Sequence, residues 1–462
     1  MPEVFQTISP VDGRVYVERS YAQLQDIDHT LNQAQQIQME WQATSIDERA
    51  QICRKAVHYL VAHSNKLAQE LTWQMGRPIR YTPNEILGGL QERAIHMIDI
   101  AASALAEESL EDGNQFKKVI KHGALGTILV LAPWNYPYLT SINAIIPALM
   151  AGNTVILKHS QQTPLCAESY ADAFNNAGLP AGVFQYLHMT HTQVAKVVVD
   201  SRIDFVSFTG SVEGGYAIQE AVGKRFMRTG LELGGKDPAY VRADADLSYC
   251  SEQIADGAFF NSGQSCCGVE RIYVHTEVYD QFLEAFLSAT TQLNLDDPTK
   301  ADTTLGPMIK PTAAAFVTDQ IDAALAMGAR PLVDVRSFPN HEVKRGYMAP
   351  QVLVDVDHRM SIMQDETFGP AVGIMKVKDD AEAVHLMNDS RYGLTASIWT
   401  QDLERGEVLG KSIQTGTLFI NRCDYLDPSL AWSGVKDSGI GISLSHLGYL
   451  QVTRPKSFHI KK

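Results

Sequence analysis

The chain has 462 residues, 45% hydrophobic and 20% charged, with 33 Gly and 19 Pro dispersed along it. That balance excludes a disordered or fibrous protein, and about 150 residues per domain predicts two to four globular domains. Thirty-nine Lys and Arg against 53 Asp and Glu leave a formal charge of −14, and without a basic stripe to neutralise phosphates nucleic acid is excluded as a partner.

The opening MPEVFQTISPVDGRVY has no basic segment followed by an apolar one, and no apolar run approaches a membrane span. The expectation is a cytoplasmic chain with no membrane partner. From 21 to 108, apolar residues such as Ala56, Leu60, Leu67 and Leu71 recur at helical spacing among Gln and Glu. This predicts a mostly helical opening with breaks near 44–45 and 76–78, ended by a polar stretch at 111–115.

Beyond Gly126 the pattern changes. Short apolar runs at 127–133, 153–158, 182–187, 204–208 and 229–233 alternate with amphipathic stretches at 139–150, 163–177, 191–199 and 211–223. Strand and helix in this alternation predict an α/β fold with a doubly wound parallel sheet, whose ligands sit beyond the carboxyl ends of the strands. A second alternation begins near Asp237 and runs through 271–275, the helix-like 277–292, 348–356 and 416–421. It predicts a second α/β domain with no flexible linker before it. The tail YLQVTRPKSFHI reads as a strand able to pair outside its own domain.

Four segments carry candidate chemistry. In FFNSGQSCCGVER, 259–271, a turn precedes Cys266 and exposes a thiol, the strongest common nucleophile; a buried inert pair with Cys267 is the alternative. Six cysteines without CxxC spacing read as reduced thiols. In LELGGKDP, 231–238, Glu232 ends an apolar strand, where burial raises a carboxylate toward the range of a general base unless it merely pairs with a cation. In APWNYP, 132–137, Asn135 is a neutral donor for an oxyanion, or part of a rigid turn. In FTGSVEGG, 208–215, a glycine turn joins strand to helix and suits a phosphate, although it is not GxGxxG. The pair His188 and His191 has metal-like spacing but no Glu or Cys partner nearby, so no metal is expected.

These four segments, in this order, resemble the aldehyde dehydrogenase superfamily over nearly the whole chain. DETFGPAV (365–372), NDSRYGLTASIWT (388–400), GTLFIN (416–421) and GVKDSGIG (434–441) add to the resemblance. The style is closest to smaller bacterial members that include succinate semialdehyde dehydrogenases. The resemblance implies NAD(P)-dependent oxidation of an aldehyde to its acid through a cysteine thiohemiacetal and thioester. Cys266 would be the nucleophile, Glu232 the base, and Asn135 the oxyanion donor together with the Cys266 backbone N–H. Trp134, Lys158, Gln161, Gly210, Ser211, Gly215, Glu366 and Phe368 would hold NAD or NADP. Tyr136, Leu139, Asn143, Ser265, Cys267 and Tyr425 would line the substrate tunnel.

Two departures bear on specificity. The family commonly has Lys-Pro-Ser-Glu where this chain has Lys158-His159-Ser160-Gln161; loss of the glutamate removes a charge that disfavours NADP, so either cofactor is expected. Succinate semialdehyde dehydrogenases usually carry an arginine at the position of Asn143. Medium aliphatic or aromatic aldehydes are therefore the first expectation and succinate semialdehyde the second, with Arg422 as a replacement cation or, more simply, a solvated surface charge. A cofactor-independent thiol esterase and a noncatalytic binding protein are the competing classes. The resemblance further implies a cofactor domain (1–109 and 126–235), a catalytic domain (236–430) and a bridging flap (110–125 and 431–462) that makes a homodimer or homotetramer.

Overall fold

The structure, a computed structural model, describes residues 3–110, 115–223 and 225–462. Part of the polar stretch at 111–115, namely 111–114, lies outside them. Before the helices comes a hairpin that the sequence reading missed, Val4–Ile8 paired antiparallel with Val15–Ser20. The helical opening is present as Leu24–Ala43, Ile46–Ala62, Ser64–Met75 and Gln91–Ala104. Ala56, Leu60, Leu67 and Leu71 are buried on its inner face. The break at 44–45 is an N-cap, the Ser45 side chain accepting from the Glu48 N–H. The break at 76–78 is set by Gly76, which caps the third helix at φ +80. A π-helical turn, Glu85–Leu90, runs directly into the last of these helices.

Among the described residues the two large sheets carry the architecture. The first has the order Gly439–Ile440, Thr229–Glu232, Phe205–Thr209, Thr127–Leu131, Thr154–Lys158, Phe184–Tyr186, parallel except for its first strand. Helices Pro137–Met150, Pro164–Ala177, His191–Val198 and Val212–Val222 connect its parallel strands, as the alternating pattern predicts. The second sheet has seven strands centred on Val269–His275 and Asp237–Val241, parallel except for the edge Arg330–Pro331. Strands Asp237–Val241, Ala371–Val377 and Thr395–Trp399 were not delimited from sequence. Asp237–Val241 and Thr395–Trp399 are buried along their whole length and Ala371–Val377 over its first four residues, so none shows a two-residue alternation of buried and exposed positions.

The tail divides differently from the expected flap. Thr453–Lys461 pairs with Phe116–Ala124 along its whole length, and Glu108–Leu110 completes that small antiparallel sheet. Residues 431–452 instead belong with the first sheet. Gly439–Ile440 adds to Thr229–Glu232, and helix Ser445–Gln451 buries Tyr449 in the same core. Gly439 makes this approach possible, because a Cβ there would stand 1.9 Å from the Leu231 carbonyl oxygen.

Candidate functional site

The site grows from the carboxyl ends of the first sheet. Strand Thr127–Leu131 delivers 132–136 to the start of helix Pro137–Met150, where Pro137 fits the first turn because that position needs no donor. The free N–H groups of Tyr138 and Leu139 donate to Glu85 Oε1 at 2.8 and 3.2 Å. Glu85 is held by Arg77, which also donates to the Asn135 carbonyl oxygen and, through Nε, to Asn261 Oδ1 at 3.2 Å. The guanidinium lies 4.3 Å from the Tyr136 ring centroid. Arg77 and Glu85 are both buried, and removing one member of such a pair typically costs about 3–5 kcal/mol. The Asn135 backbone is thereby clamped, and its Nδ2 donates to the Gln264 carbonyl oxygen at 3.2 Å.

The cysteine segment is shaped by three successive left-handed residues, Asn261, Ser262 and Gly263, at φ 53, 57 and 68. At position 263 a Cβ would lie 2.2 Å from the Gly369 carbonyl oxygen, so glycine is required both by conformation and by space. Gln264 locks the turn by donating to the Asn261 carbonyl and accepting from the Ile309 N–H. Cys266 is left half-buried. Cys267 is buried, and its thiol donates to Asp424 Oδ1 at 2.9 Å beside the Ser265 hydroxyl at 3.1 Å. Burial pushes Asp424 up to about 6.

Glu232 closes strand Thr229–Glu232, accepting from Thr209 Oγ1 at 3.1 Å and from Ser443 Oγ at 2.5 Å. Burial raises its pKa above the ordinary carboxylate range, against the opposing pull of those two hydroxyls. Two cavities meet here. One is about 1070 Å³ and the other about 290 Å³, and Cys266, Glu232 and Thr209 line both.

Trp134, Asn135, Lys158, Gly210, Ser211, Glu366 and Phe368 line the larger cavity. Trp134 and Phe368 meet edge to face, their centroids 5.7 Å apart. Ser211 is the N-cap of Val212–Val222, its hydroxyl accepting from the Gly214 N–H. Glu366 accepts from the Gly235 N–H at 3.2 Å and passes so close to Gly234 that a Cβ there would lie 2.3 Å from its carboxylate. Burial pushes Glu366 up to about 8 and Lys158 down to about 8. The loop bearing Glu366 and Phe368 is tied down by Glu270, which accepts from the Thr367 and Phe368 N–H groups and from Lys236 Nζ.

Two expected cofactor residues stand elsewhere. Gln161 does not line the cavity, because its amide donates to the Tyr21 hydroxyl and its carbonyl accepts from Thr7; Ser160 and His191 take the wall beside Lys158. Gly215 faces Leu233, where a Cβ would come within 2.7 Å, so it permits helix to pack on strand and does not line the cavity. Tyr136, Leu139, Asn143, Ser265, Cys267 and Tyr425 all line the smaller cavity. Arg422 does not; it is exposed and stacks 3.6 Å from the Tyr425 ring centroid. His188 meets Glu168, and among the described residues no cluster of three or more His, Cys, Asp or Glu is placed to hold a metal.

Arg77, Glu85, Arg93, Glu270 and Asp424 shape this region and were not singled out from sequence. They share no local signal in the sequence, and what sets them apart is burial, which the fold decides. No helix among the described residues is long and apolar enough to cross a membrane.

Comparison with known proteins identifies the family. The family model described as Aldehyde dehydrogenase family matches residues 2–458. The chain is 34% identical to the succinate semialdehyde dehydrogenase (NAD(P)+) Sad of Escherichia coli, over 96% of this chain and 95% of the other. It is 33% identical to an aldehyde dehydrogenase of Paenarthrobacter nicotinovorans, over 98% of each. The solved succinic semialdehyde dehydrogenase of Streptococcus pyogenes, in complex with NADP+, superposes with a TM-score of 0.94 at 29% identity, covering 99% of this chain and 100% of that one. A match over almost every residue, on the same architecture, means that the chain belongs to the aldehyde dehydrogenase family.

Proposed function

We propose that Cys266, Asn135 and Glu232 carry out this chain's reaction, the NAD(P)-dependent oxidation of an aldehyde to its carboxylic acid. The observation that carries the reading is that Cys266 and Glu232 line both cavities, so one thiol and one carboxylate serve the two ligands together.

The larger cavity fits the dinucleotide. Gly210 and Ser211 stand at a helix N-terminus, where backbone donors suit a pyrophosphate. Lys158 and Ser160 would meet the adenosine ribose, and Glu366 with Phe368 the nicotinamide end beside Trp134. When bound, NAD or NADP supplies the acceptor for the hydride that leaves the aldehyde carbon.

The remaining work belongs to the chain. Cys266 Sγ adds to the carbonyl carbon, and the charge that develops on oxygen is stabilised by an Asn135 amide N–H and the Cys266 backbone N–H. Arg77 matters here because it fixes the Asn135 backbone before any charge appears. Oxidation leaves the acyl group on Sγ as a thioester. Glu232 then takes a proton from water as that water attacks, releasing the acid; its raised pKa makes it a better base than an exposed carboxylate. An esterase would need these three residues but not Lys158, Glu366 and Phe368, whose convergence favours the redox reaction. Leu139, Tyr136 and Tyr425 give the smaller cavity apolar and aromatic walls suited to medium aliphatic or aromatic aldehydes, whereas the buried Arg93 on the same wall favours an anionic one.

Initial rates of NADH and NADPH formation across aliphatic, aromatic and carboxylated aldehydes test this reading. Both cofactors are expected to work, and a kcat/KM for NADP+ about 1000-fold below that for NAD+ would contradict it. Lys158 adds a pH signature. Its ammonium is present below about 8 and is lost above, so kcat/KM for NADP+ is expected to fall as pH rises through that value, more steeply than for NAD+. The small sheet supports assembly with further copies, because its outer strand Thr453–Lys461 is exposed over most of its nine residues. A mass in solution of two or four chains is expected, and a monomer would exclude the homodimer or homotetramer.

A further inference from the structure

Arg93 sits on helix Gln91–Ala104 with 5% of its surface exposed, and it lines the smaller cavity. Its Nη1 donates to the Leu139 carbonyl oxygen at 3.0 Å and to the Asn143 amide oxygen. Among the described residues Nε and Nη2 have no hydrogen-bond partner, and no carboxylate stands within ion-pair distance. Neither donor is fully enclosed by protein, and the residue to which they belong lines the cavity. Of the other charges on this wall, Glu232 accepts from Thr209 and Ser443, and Asp256 makes no ion pair with Arg93. Arg77 is paired with Glu85, Glu92 accepts from the Tyr425 hydroxyl at 2.7 Å, and Asp424 accepts from Ser265 and Cys267.

Holding a guanidinium buried without an ion-pair partner is costly, and burial here works against its charged form more strongly than Glu232 and Glu92, which act on it from beyond ion-pair distance, favour it. Such a group is stabilised when a ligand brings the missing anion. Nε and Nη2 lie in one plane at the spacing of a carboxylate's two oxygens, the geometry of a bidentate pair.

We infer that Arg93 is the residue that grips the distal carboxylate of the substrate, and that the preferred substrate is a short aldehyde carrying a carboxylate at its far end. Asn143 and the Leu139 carbonyl hold the guanidinium in place from behind, leaving its free edge to the ligand. The inference rests on the reading of Cys266 as the attacking thiol at the mouth of the same cavity.

The experiment measures kcat/KM for succinate semialdehyde and for butanal, its uncharged four-carbon counterpart, in the full chain and in Arg93→Met and Arg93→Lys. The wild-type ratio is expected to favour succinate semialdehyde by at least about 100-fold. In Arg93→Met that ratio falls by at least about 100-fold, with the loss carried mainly by KM. Arg93→Lys restores part of it, because an ammonium keeps the charge without the fork. A wild-type ratio near one, or a common loss on both substrates that leaves the ratio unmoved, overturns the role of Arg93 while the dehydrogenase reading stands. A wild-type ratio near one overturns the inference even if both variants fail to fold. Absence of turnover with every aldehyde and both cofactors overturns the dehydrogenase reading itself, and this inference with it.

Discussion

Cys266→Ala is expected to lower NADH or NADPH formation from any aldehyde by at least about 10⁴-fold, the scale of losing a nucleophile that forms a covalent intermediate. The fold should survive, because one sulfur is removed from a half-buried position at the junction of two cavities. The neighbouring Cys267 cannot take over. Its thiol is buried and donated to Asp424, and in the variant, where the raising effect of Cys266 is gone, burial and the Asp424 carboxylate still oppose a thiolate there. Initial rates at saturating cofactor check this, with circular dichroism to confirm folding. Oxidation within tenfold of wild type would remove Cys266 from the reaction.

Glu232→Gln is expected to separate the two halves of the reaction. Gln has the same shape and can still meet Thr209 and Ser443, whose hydroxyls can turn to accept as well as donate. Acylation of Cys266 should proceed, giving a burst of reduced cofactor close to one equivalent per site. Steady-state turnover should then fall by about 10²- to 10⁴-fold, because no base activates the water. The pH profile gives a second readout. A carboxyl with a raised pKa is protonated, and useless as a base, below that pKa, so wild-type turnover falls as pH drops through it. The variant should lose this acid limb along with the rate. A variant that turns over at the wild-type rate, or one that shows no burst, would assign the base elsewhere.

Much of this site is legible along the chain because its central residues sit on turns with distinctive punctuation. Asn135 lies between Pro133 and Pro137, Glu232 precedes two glycines, and Cys266 follows a glycine that the backbone demands. Residues that act from within helices are harder to read. The π-turn at Glu85–Leu90 places an extra residue in the helix, so the phase inferred from 3.6-residue spacing slips just before Arg93. Nothing local distinguishes the buried Arg93 from Arg54, which remains partly exposed on its own amphipathic helix. The sequence looked for a substrate cation at 143 or 422. The cation inferred instead is Arg93, which lines the cavity and donates to Asn143, while Arg422 is out on the surface.

The cofactor wall shows the same division. The charge change at Gln161 is visible in the sequence, yet its side chain turns to Tyr21, a residue 140 positions away. Gly215 reads as part of a phosphate turn, but its missing side chain is needed for helix packing.

The sequence by itself determined the α/β class, the helical opening, the five parallel strands of the first sheet, the family, and the thiol, carboxylate and amide on which the chemistry is proposed to rest. Each of these is encoded locally, by periodicity, turn residues or a short motif. Only the tertiary structure decided which charges are buried, that Cys266 and Glu232 belong to two cavities at once, and that residues 431–452 complete the first sheet. Burial and cavity walls arise from segments distant in the chain, so no window of sequence contains them.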